Sequence, residues 1–198
     1  MAAKRIGKFA QTKPFAFSIV IGTLNPWCAD ILTQTVVEKR GQIDWERNAV
    51  FAAFGAIYLG GFQYFLQVNL YRRMFSGMDR FAALSLSEKL RDGPGKLGAA
   101  KQIAFDVFVH LPLIYFPTFY CMKESIQGEA KREPFEVIQN GLSKYRQNFS
   151  EDGKAMLQVW VPGDIICFGM VPIWLRLPTR HLVSFGWNSY LSLVRGAA

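Results

Sequence analysis

Six polar side chains lie in otherwise apolar stretches of the chain, where the chemistry they could support is the movement of ions or protons. They are Asp30, Gln34, Asp106, His110, Asp164 and Arg176. An ionised carboxylate at the centre of a bilayer costs about 3 kcal/mol or more, so such groups usually face a bundle interior or water and often mark a conduction path. The competing interpretation, which we prefer, is that the aspartates cap helices or form ion pairs near the membrane surface. His110 is then a hydrogen-bonded packing residue rather than a proton relay.

The residues next to two of the aspartates favour capping. Pro162 and Gly163 directly precede Asp164. This predicts that Asp164 lies in the first turn of a helix, where the macrodipole stabilises an anion. Asn25 and Pro26 similarly predict a helix break or restart shortly before Asp30.

Other kinds of chemistry have no matching pattern in the chain. The three cysteines, Cys28, Cys121 and Cys167, are isolated from one another and flanked by apolar residues, so they indicate neither a disulfide framework nor a metal site. The chain has no phosphate-binding loop, nucleophile elbow or internal repeat. We therefore expect no enzymatic activity, no catalytic residue, no metal and no cofactor other than a bound lipid.

Long apolar segments must position the six polar residues. Residues 48–71 contain no charge and would form a helix of about 36 Å, enough to cross a hydrocarbon core of about 30 Å. Similar segments predict four spans, at residues 14–37, 48–71, 102–122 and 155–175, with a polar, solvated helical connector at 123–154. The predicted fold is all-α, a single integral membrane four-helix bundle over residues 1–198. After Pro178 a short C-terminal segment is predicted to lie at the interface, anchored by Trp187 and Tyr190.

Basic residues cluster before the first span, between the second and third, and after the fourth. The net charge is +8 and the sequence pI is about 9.5. With four spans, these segments share one side, which the positive-inside rule assigns to the matrix, or to the cytosol in a peroxisome. The basic residues flank apolar spans without interleaved aromatic residues, which argues against nucleic acid as a partner. Membrane lipids are the expected partners, and a basic helix-end pocket could hold an anionic phospholipid such as cardiolipin.

Small residues recur at four-residue spacing in the second span, at Ala52, Ala56 and Gly60. Such a stripe lets helix backbones approach closely in lipid. We predict a helix contact within the monomer, with a homo-oligomer seam as the alternative. Gly163 and Gly169 of the fourth span could supply the opposite face.

The C-terminal third of the chain combines apolar residues with a closely spaced set of particular side chains. The set comprises Trp160, Phe168, Pro172, Arg176, Trp187, Asn188, Tyr190, Leu191 and Ser192. It resembles the signature of the Mpv-seventeen / 22-kilodalton peroxisomal membrane protein family. Asp44 and Arg47 also resemble the opening of that family's second helix, whereas Val107, Asp164 and Cys167 depart from its pattern.

The resemblance implies a small four-helix protein of the mitochondrial inner or peroxisomal membrane. The family has been linked to weakly selective channel activity and to organelle metabolite and DNA homeostasis. Two interpretations follow. The first is a structural or accessory subunit of a larger inner-membrane assembly such as a respiratory complex, with other membrane subunits as partners. The second is a weakly selective channel or metabolite pore. We prefer the first at this point, because the matching residues lie mainly at helix ends, turns and packing positions.

Overall fold

A computed structural model of the chain describes residues 8–128, 133–169 and 173–196. The regular elements of these ranges are all helical, which confirms the predicted all-α class. A short helical turn at residues 8–12 precedes the first long helix. In chain order the helices are α1 (Pro14–Val37), α2 (Trp45–Met74), α3 (Met78–Ala83), α4 (Leu86–Arg91), α5 (Gly93–Gln127), α6 (Pro134–Gly169) and α7 (Ile173–Arg195).

In the part of the chain that the structure describes, α1, α2 and α5 are long and apolar enough to cross a membrane. They overlap the first three predicted spans, although α2 and α5 are longer than predicted. The α1 helix runs without a break through Pro26, so the predicted helix break before Asp30 is wrong. Asp44 caps the N-terminus of α2 by accepting a hydrogen bond from the backbone N–H of Arg47 at 3.0 Å.

The predicted fourth span and polar connector are not separate elements. The α6 helix begins at Pro134, within the predicted connector, and continues to Gly169, a length of about 54 Å. Its polar half is an amphipathic helix that packs on α5. There the Tyr145 hydroxyl donates to the Pro112 carbonyl at 2.7 Å. Charged residues on the solvent side of such a helix do not interrupt it, so most of the predicted connector is helical and continues into the predicted fourth span, whose membrane bounds stay a prediction. Residues 170–172 of the predicted span lie outside the described residues.

The C-terminal segment is a helix of the bundle rather than an interfacial anchor. Two hydrogen bonds show that α7 runs parallel to α1, one from the Asn25 side chain to the His181 carbonyl at 3.0 Å and one from the Thr33 hydroxyl to the Ser189 carbonyl at 3.2 Å. Trp187 is only 2% exposed, and its Nε1 donates to the Tyr115 hydroxyl at 3.1 Å. The prediction that Trp187 lies at the membrane surface is therefore wrong, because aromatic partners from distant helices enclose its ring.

The direction of α7 also determines which end of the bundle Arg195 reaches. The Lys123 ammonium donates to the Arg195 carbonyl at 2.6 Å, and the Arg47 guanidinium donates to the Ser192 carbonyl at 2.9 Å. The end of α7 therefore lies at the end of the bundle opposite Pro14. The prediction of four spans with both termini on one side of the membrane stays a prediction.

The tightest helix contact joins α1 and α2. A Cβ atom on Gly60 would lie 2.6 Å from the Cα of Ile19 and 2.9 Å from the Ser18 carbonyl oxygen, and one on Gly22 would lie 2.7 Å from the Cα of Gly60. The small-residue stripe thus faces α1 within the monomer at Gly60, while Ala52 and Ala56 are half-buried on the same helix. Gly163 faces Val183 of α7 instead of this stripe.

Candidate functional site

A cavity of about 380 Å³ lies between α1, the C-terminal half of α2, α5 and the later helices. Its wall runs from exposed Pro14 and Gln67 to buried Tyr115 and Trp187, so it connects the protein surface with the core. We call it the vestibule. The surface of the wall is mostly apolar, and its polar and aromatic side chains are Phe17, Ser18, Asn25, Gln63, Tyr64, Gln67, Asp106, Tyr115, Trp160, Arg180, His181, Ser184 and Trp187.

A charged cluster, which joins three helices, stands at the vestibule wall. Arg180 of α7 donates from Nη1 to Oδ1 of Asp164 at 2.9 Å, and its Nη2 lies 3.8 Å from Oδ2 of Asp106. The guanidinium also lies 5.4 Å from the centre of the Trp160 ring. Asp164 is deep within α6 rather than in its first turn, so the predicted capping role is wrong. Among the side chains that the structure describes, the two carboxylates of this cluster face the guanidinium of Arg180.

Asp106 also belongs to a chain of buried hydrogen bonds. Its Oδ1 accepts from the Tyr71 hydroxyl at 2.6 Å and lies 2.8 Å from Nδ1 of His110, whose Nε2 lies 2.8 Å from the Tyr58 hydroxyl. Asp106 and His110 belong to a π-helical stretch of α5, Asp106–Tyr115, which contains Pro112. Wide turns of this kind often occur at functional sites, since they re-aim side chains that a regular α-helix would direct elsewhere. His110 thus bridges a carboxylate and a phenol.

Asp30 and Gln34 lie in a different cluster, at the opposite end of the bundle. The Arg47 side chain, which is fully buried, donates to Oδ1 of Asp30 at 2.8 Å and to the Ser192 hydroxyl at 2.6 Å. The amides of Gln34 and Asn48 each donate to Oδ2 of Asp30 at 2.8 Å. We call this group the Arg47 cluster. In this conformation Asp30 and Gln34 therefore lie apart from Asp106 and Asp164, with the aromatic core between the two clusters, and a path shared by all four stays a prediction.

Glu38, in the turn that follows α1, completes the Arg47 cluster. Arg47 donates to its carboxylate at 3.0 Å, and Arg40 forms a second ion pair with it. The hydrogen bond from Arg47 is the largest cause that lowers the pKa of Glu38 below 4.5. Since the folded-state pKa is depressed, the stability that this pair contributes is present above the ordinary pKa of glutamate. It is lost as the pH falls through the lowered value.

Aromatic rings close the inner end of the vestibule. The Trp187 ring centre lies 6.5 Å from that of Trp160 and 6.0 Å from that of Phe116. The Phe54 ring, which packs edge-on against Tyr115 at 5.0 Å, continues this layer toward the Arg47 cluster. In this conformation the vestibule therefore ends within the bundle.

The remaining C-terminal residues predicted from the sequence have mixed outcomes. Asn188 donates to the Asn25 side chain at 2.9 Å, Leu191 is in the core, and the Tyr190 ring packs against Trp187 at 5.7 Å. Pro172 lies outside the described residues, and the side chains of Phe168 and Arg176 do as well. In the described ranges, no three His, Cys, Asp or Glu side chains lie together as metal ligands.

Sequence reasoning missed the pairing of Arg180 with Asp164 and Asp106. From the sequence alone, Arg180 is only one of several basic residues that follow the predicted fourth span. The proximity of its guanidinium to both carboxylates depends on how α6 and α7 fold back on each other. The sequence does carry one signal for this pairing: aspartates within apolar segments require a nearby cation, and Arg180 is one of the few cations close to such a segment.

Comparisons with known proteins agree with the C-terminal pattern. The model of the Mpv17 / PMP22 family matches residues 135–192, which include most of α6 and α7. The chain is 22% identical over 191 residues to Protein SYM1 of Debaryomyces hansenii, covering 96% of this chain and 87% of the relative. It is 25% identical over 167 residues to Protein sym1 of Aspergillus oryzae, covering 83% of this chain and 81% of the relative.

A shorter alignment joins the chain to Protein SYM1 of Candida albicans, with 28% identity over 93 residues. It covers 47% of this chain and 45% of the relative, so it spans about half of each protein. No solved structure matches the chain significantly.

Proposed function

We propose, from the premise that the chain belongs to the Mpv17 / PMP22 family of organellar membrane proteins, that its vestibule is the entrance of a weakly selective pore for small cations. The observation that carries the proposal is the cavity that leads from exposed Pro14 and Gln67 to the buried carboxylate of Asp106. A carboxylate within an apolar helix bundle is costly unless it is paired or serves water and ions. The proposed pore involves no catalytic step.

Charge supports cations over anions. The wall itself carries the carboxylate of Asp106 and the guanidinium of Arg180, and the buried carboxylate of Asp164 pairs with that guanidinium at 2.9 Å. Amide and hydroxyl groups of Asn25, Gln63 and Ser184 line the same wall. A ring or line of carboxylates sets the potential that an ion experiences in a pore. For conduction, the aromatic layer at Tyr115, Trp160 and Trp187 would have to rearrange.

The proposed membrane is the mitochondrial inner membrane, with the peroxisomal membrane as the alternative. The segment between α2 and α5 would face the matrix or the cytosol, because it carries Arg72, Arg73, Lys89 and other basic residues. A second cavity of about 370 Å³ at this end of the bundle is lined by Arg72, Tyr71, Gln102 and others. Because Arg72 pairs with Asp79 in its lining, we propose that an anionic phospholipid headgroup such as that of cardiolipin binds along the basic segment and not in this cavity.

Neutralising Asp106 tests the pore. We expect Asp106→Asn to lower the cation-over-anion permeability ratio of the purified, reconstituted protein by about fivefold, since a unit charge at about 4 Å is worth about 1 kcal/mol in water. Reversal potentials in a salt gradient across a planar bilayer measure the ratio. Asp164→Asn should shift it in the same direction.

Asp79→Asn is the matched control, because the Asp79 side chain is 79% exposed and lies outside the vestibule. It should leave the ratio unchanged. The proposal fails if folded wild-type protein carries no current above that of protein-free bilayers. It also fails if Asp106→Asn and Asp79→Asn behave alike.

An accessory subunit of a larger inner-membrane assembly is the second candidate function. One surface favours it: α6 exposes a stripe of large apolar side chains at Phe135, Ile138, Leu142 and Phe149, spaced as on one face of a helix. Another membrane subunit could cover this stripe. Purification from the native membrane in mild detergent tests this, because a subunit would travel with a partner in fixed stoichiometry.

A further inference from the structure

We infer that Trp160, Asp164 and Asp106 form a cation-binding site that the side chain of Arg180 occupies in this conformation, so that Arg180 is a tethered plug of the vestibule. We call these three residues the Arg180 box. The free ligands that it would accept are small guanidinium and ammonium compounds. The role of Arg180 as a plug rests on the proposed pore, whereas the binding site does not depend on conduction.

The geometry around Arg180 is that of a recognition site for a guanidinium group. One edge of the guanidinium donates to Asp164 at 2.9 Å, a second carboxylate lies 3.8 Å away, and the Trp160 ring centre is 5.4 Å away. Carboxylate pairing and contact with an aromatic ring are the two interactions by which proteins bind guanidinium and ammonium ions. The guanidinium of Arg180 therefore already occupies the box as a bound guanidinium ligand would.

Arg180 differs from Arg47 in its access to the vestibule. The Arg47 side chain is 0% exposed and enclosed by Asp30, Glu38 and Ser192, whereas the Arg180 side chain is 25% exposed in a cavity wall. Removing a fully buried cation from its partners is prohibitively costly, but a partly exposed one can exchange its partners for water. A competing cation could therefore displace Arg180, which makes the contact a reversible plug.

A second observation points to a ligand at this wall. The Trp160 ring is only 9% exposed, and within the described part of the chain its buried Nε1 donor has no hydrogen-bond partner. An unpaired buried donor costs about 1–3 kcal/mol. A ligand that carries an oxygen acceptor beside its cationic group would satisfy the indole. The 380 Å³ cavity is of the size that small-molecule sites commonly have.

Chemical rescue of an arginine variant tests the box. Arg180→Ala leaves the two carboxylates and Trp160 without their cation, so the variant should unfold at a lower temperature than wild type in detergent. Millimolar methylguanidinium chloride should raise the unfolding temperature of the variant by about 2 °C or more, because a ligand that binds only the folded state stabilises it by an amount of this size. Potassium chloride at the same concentration should not. Trp160→Leu in the Arg180→Ala background should abolish the rescue.

The matched control is Arg72→Ala, which removes an exposed ion pair with Asp79 outside the vestibule. Methylguanidinium should not stabilise it. If Arg180→Ala does not fold, the Arg180→Gln variant is purified in parallel with and without methylguanidinium. Recovery of folded monomer only in the presence of the compound supports the box. No rescue in either Arg180 variant, or equal shifts in the Arg72 variant, overturns it. Rescue without any current supports the box and contradicts the pore, whereas current without rescue contradicts the box alone.

Discussion

Replacing Arg47 with leucine is expected to destabilise the helix bundle by about 3–5 kcal/mol, because breaking a fully buried ion pair leaves an uncompensated charge. The charge in question is Asp30, which is 0% exposed and also accepts hydrogen bonds from Ser192, Gln34 and Asn48. The substitution should also release the end of α7, since Arg47 holds the Ser192 carbonyl. Thermal unfolding of the purified protein in detergent measures the loss, expected at about 6 °C or more.

Two comparisons separate this effect from a general cost of removing arginine. Arg72→Leu removes a pair whose side chains are 70% and 79% exposed, so it should cost less than about 1 kcal/mol. The double variant Asp30→Asn with Arg47→Leu should be more stable than Arg47→Leu alone, because the buried charge is gone. Equal stability of the Arg47 and Arg72 variants would contradict the described cluster.

Gly60→Ala is the second substitution with a large expected effect. The added Cβ would lie 2.6 Å from the Cα of Ile19 and 2.9 Å from the Ser18 carbonyl, and backbone atoms cannot move aside as a flexible side chain can. Overpacking of this kind costs about 1–3 kcal/mol, and Gly60→Leu should cost more. The measurement is the temperature of thermal aggregation in detergent.

The neighbouring glycine supplies the control. A Cβ on Gly61 would lie 3.5 Å from the Ala56 carbonyl oxygen and 3.6 Å from the Cδ1 of Ile19, which is ordinary contact. Gly61→Ala should therefore be neutral, or stabilising by up to about 1 kcal/mol through helix propensity. If both alanine variants aggregate at the same temperature, the close contact of α1 and α2 at Gly60 is not as described.

Several elements could be predicted from the sequence because their signals are local. The uncharged run at residues 48–71 predicted α2, and the resemblance of Asp44 and Arg47 to the opening of the family's second helix indicated where it starts. Gly60 indicated a close helix contact because small residues at four-residue spacing share one face. Each of these signals needs only a few neighbouring residues.

The parts that sequence reasoning missed depend on distant partners. In the sequence Trp187 resembles an interfacial anchor, whereas in the fold Tyr115 and Trp160 enclose its ring. Asp30 finds its cation at Arg47 and its hydroxyl donor at Ser192, far along the chain. A single sequence shows that an intramembrane carboxylate needs a partner, but not which of the many arginines the fold brings to it.

The most direct measurement on the vestibule is whether a thiol placed in its wall controls the current. In a variant with Cys28, Cys121 and Cys167 replaced by serine, Ser184→Cys would line the vestibule, whereas Leu182→Cys, at a position 74% exposed, would lie outside it. A membrane-impermeant, positively charged thiol reagent should block the current of the Ser184→Cys variant from the chamber that faces the Pro14 end only. The Leu182→Cys current should persist. Equal block of both variants, or none in the Ser184→Cys variant, would contradict the vestibule as the entrance of a pore.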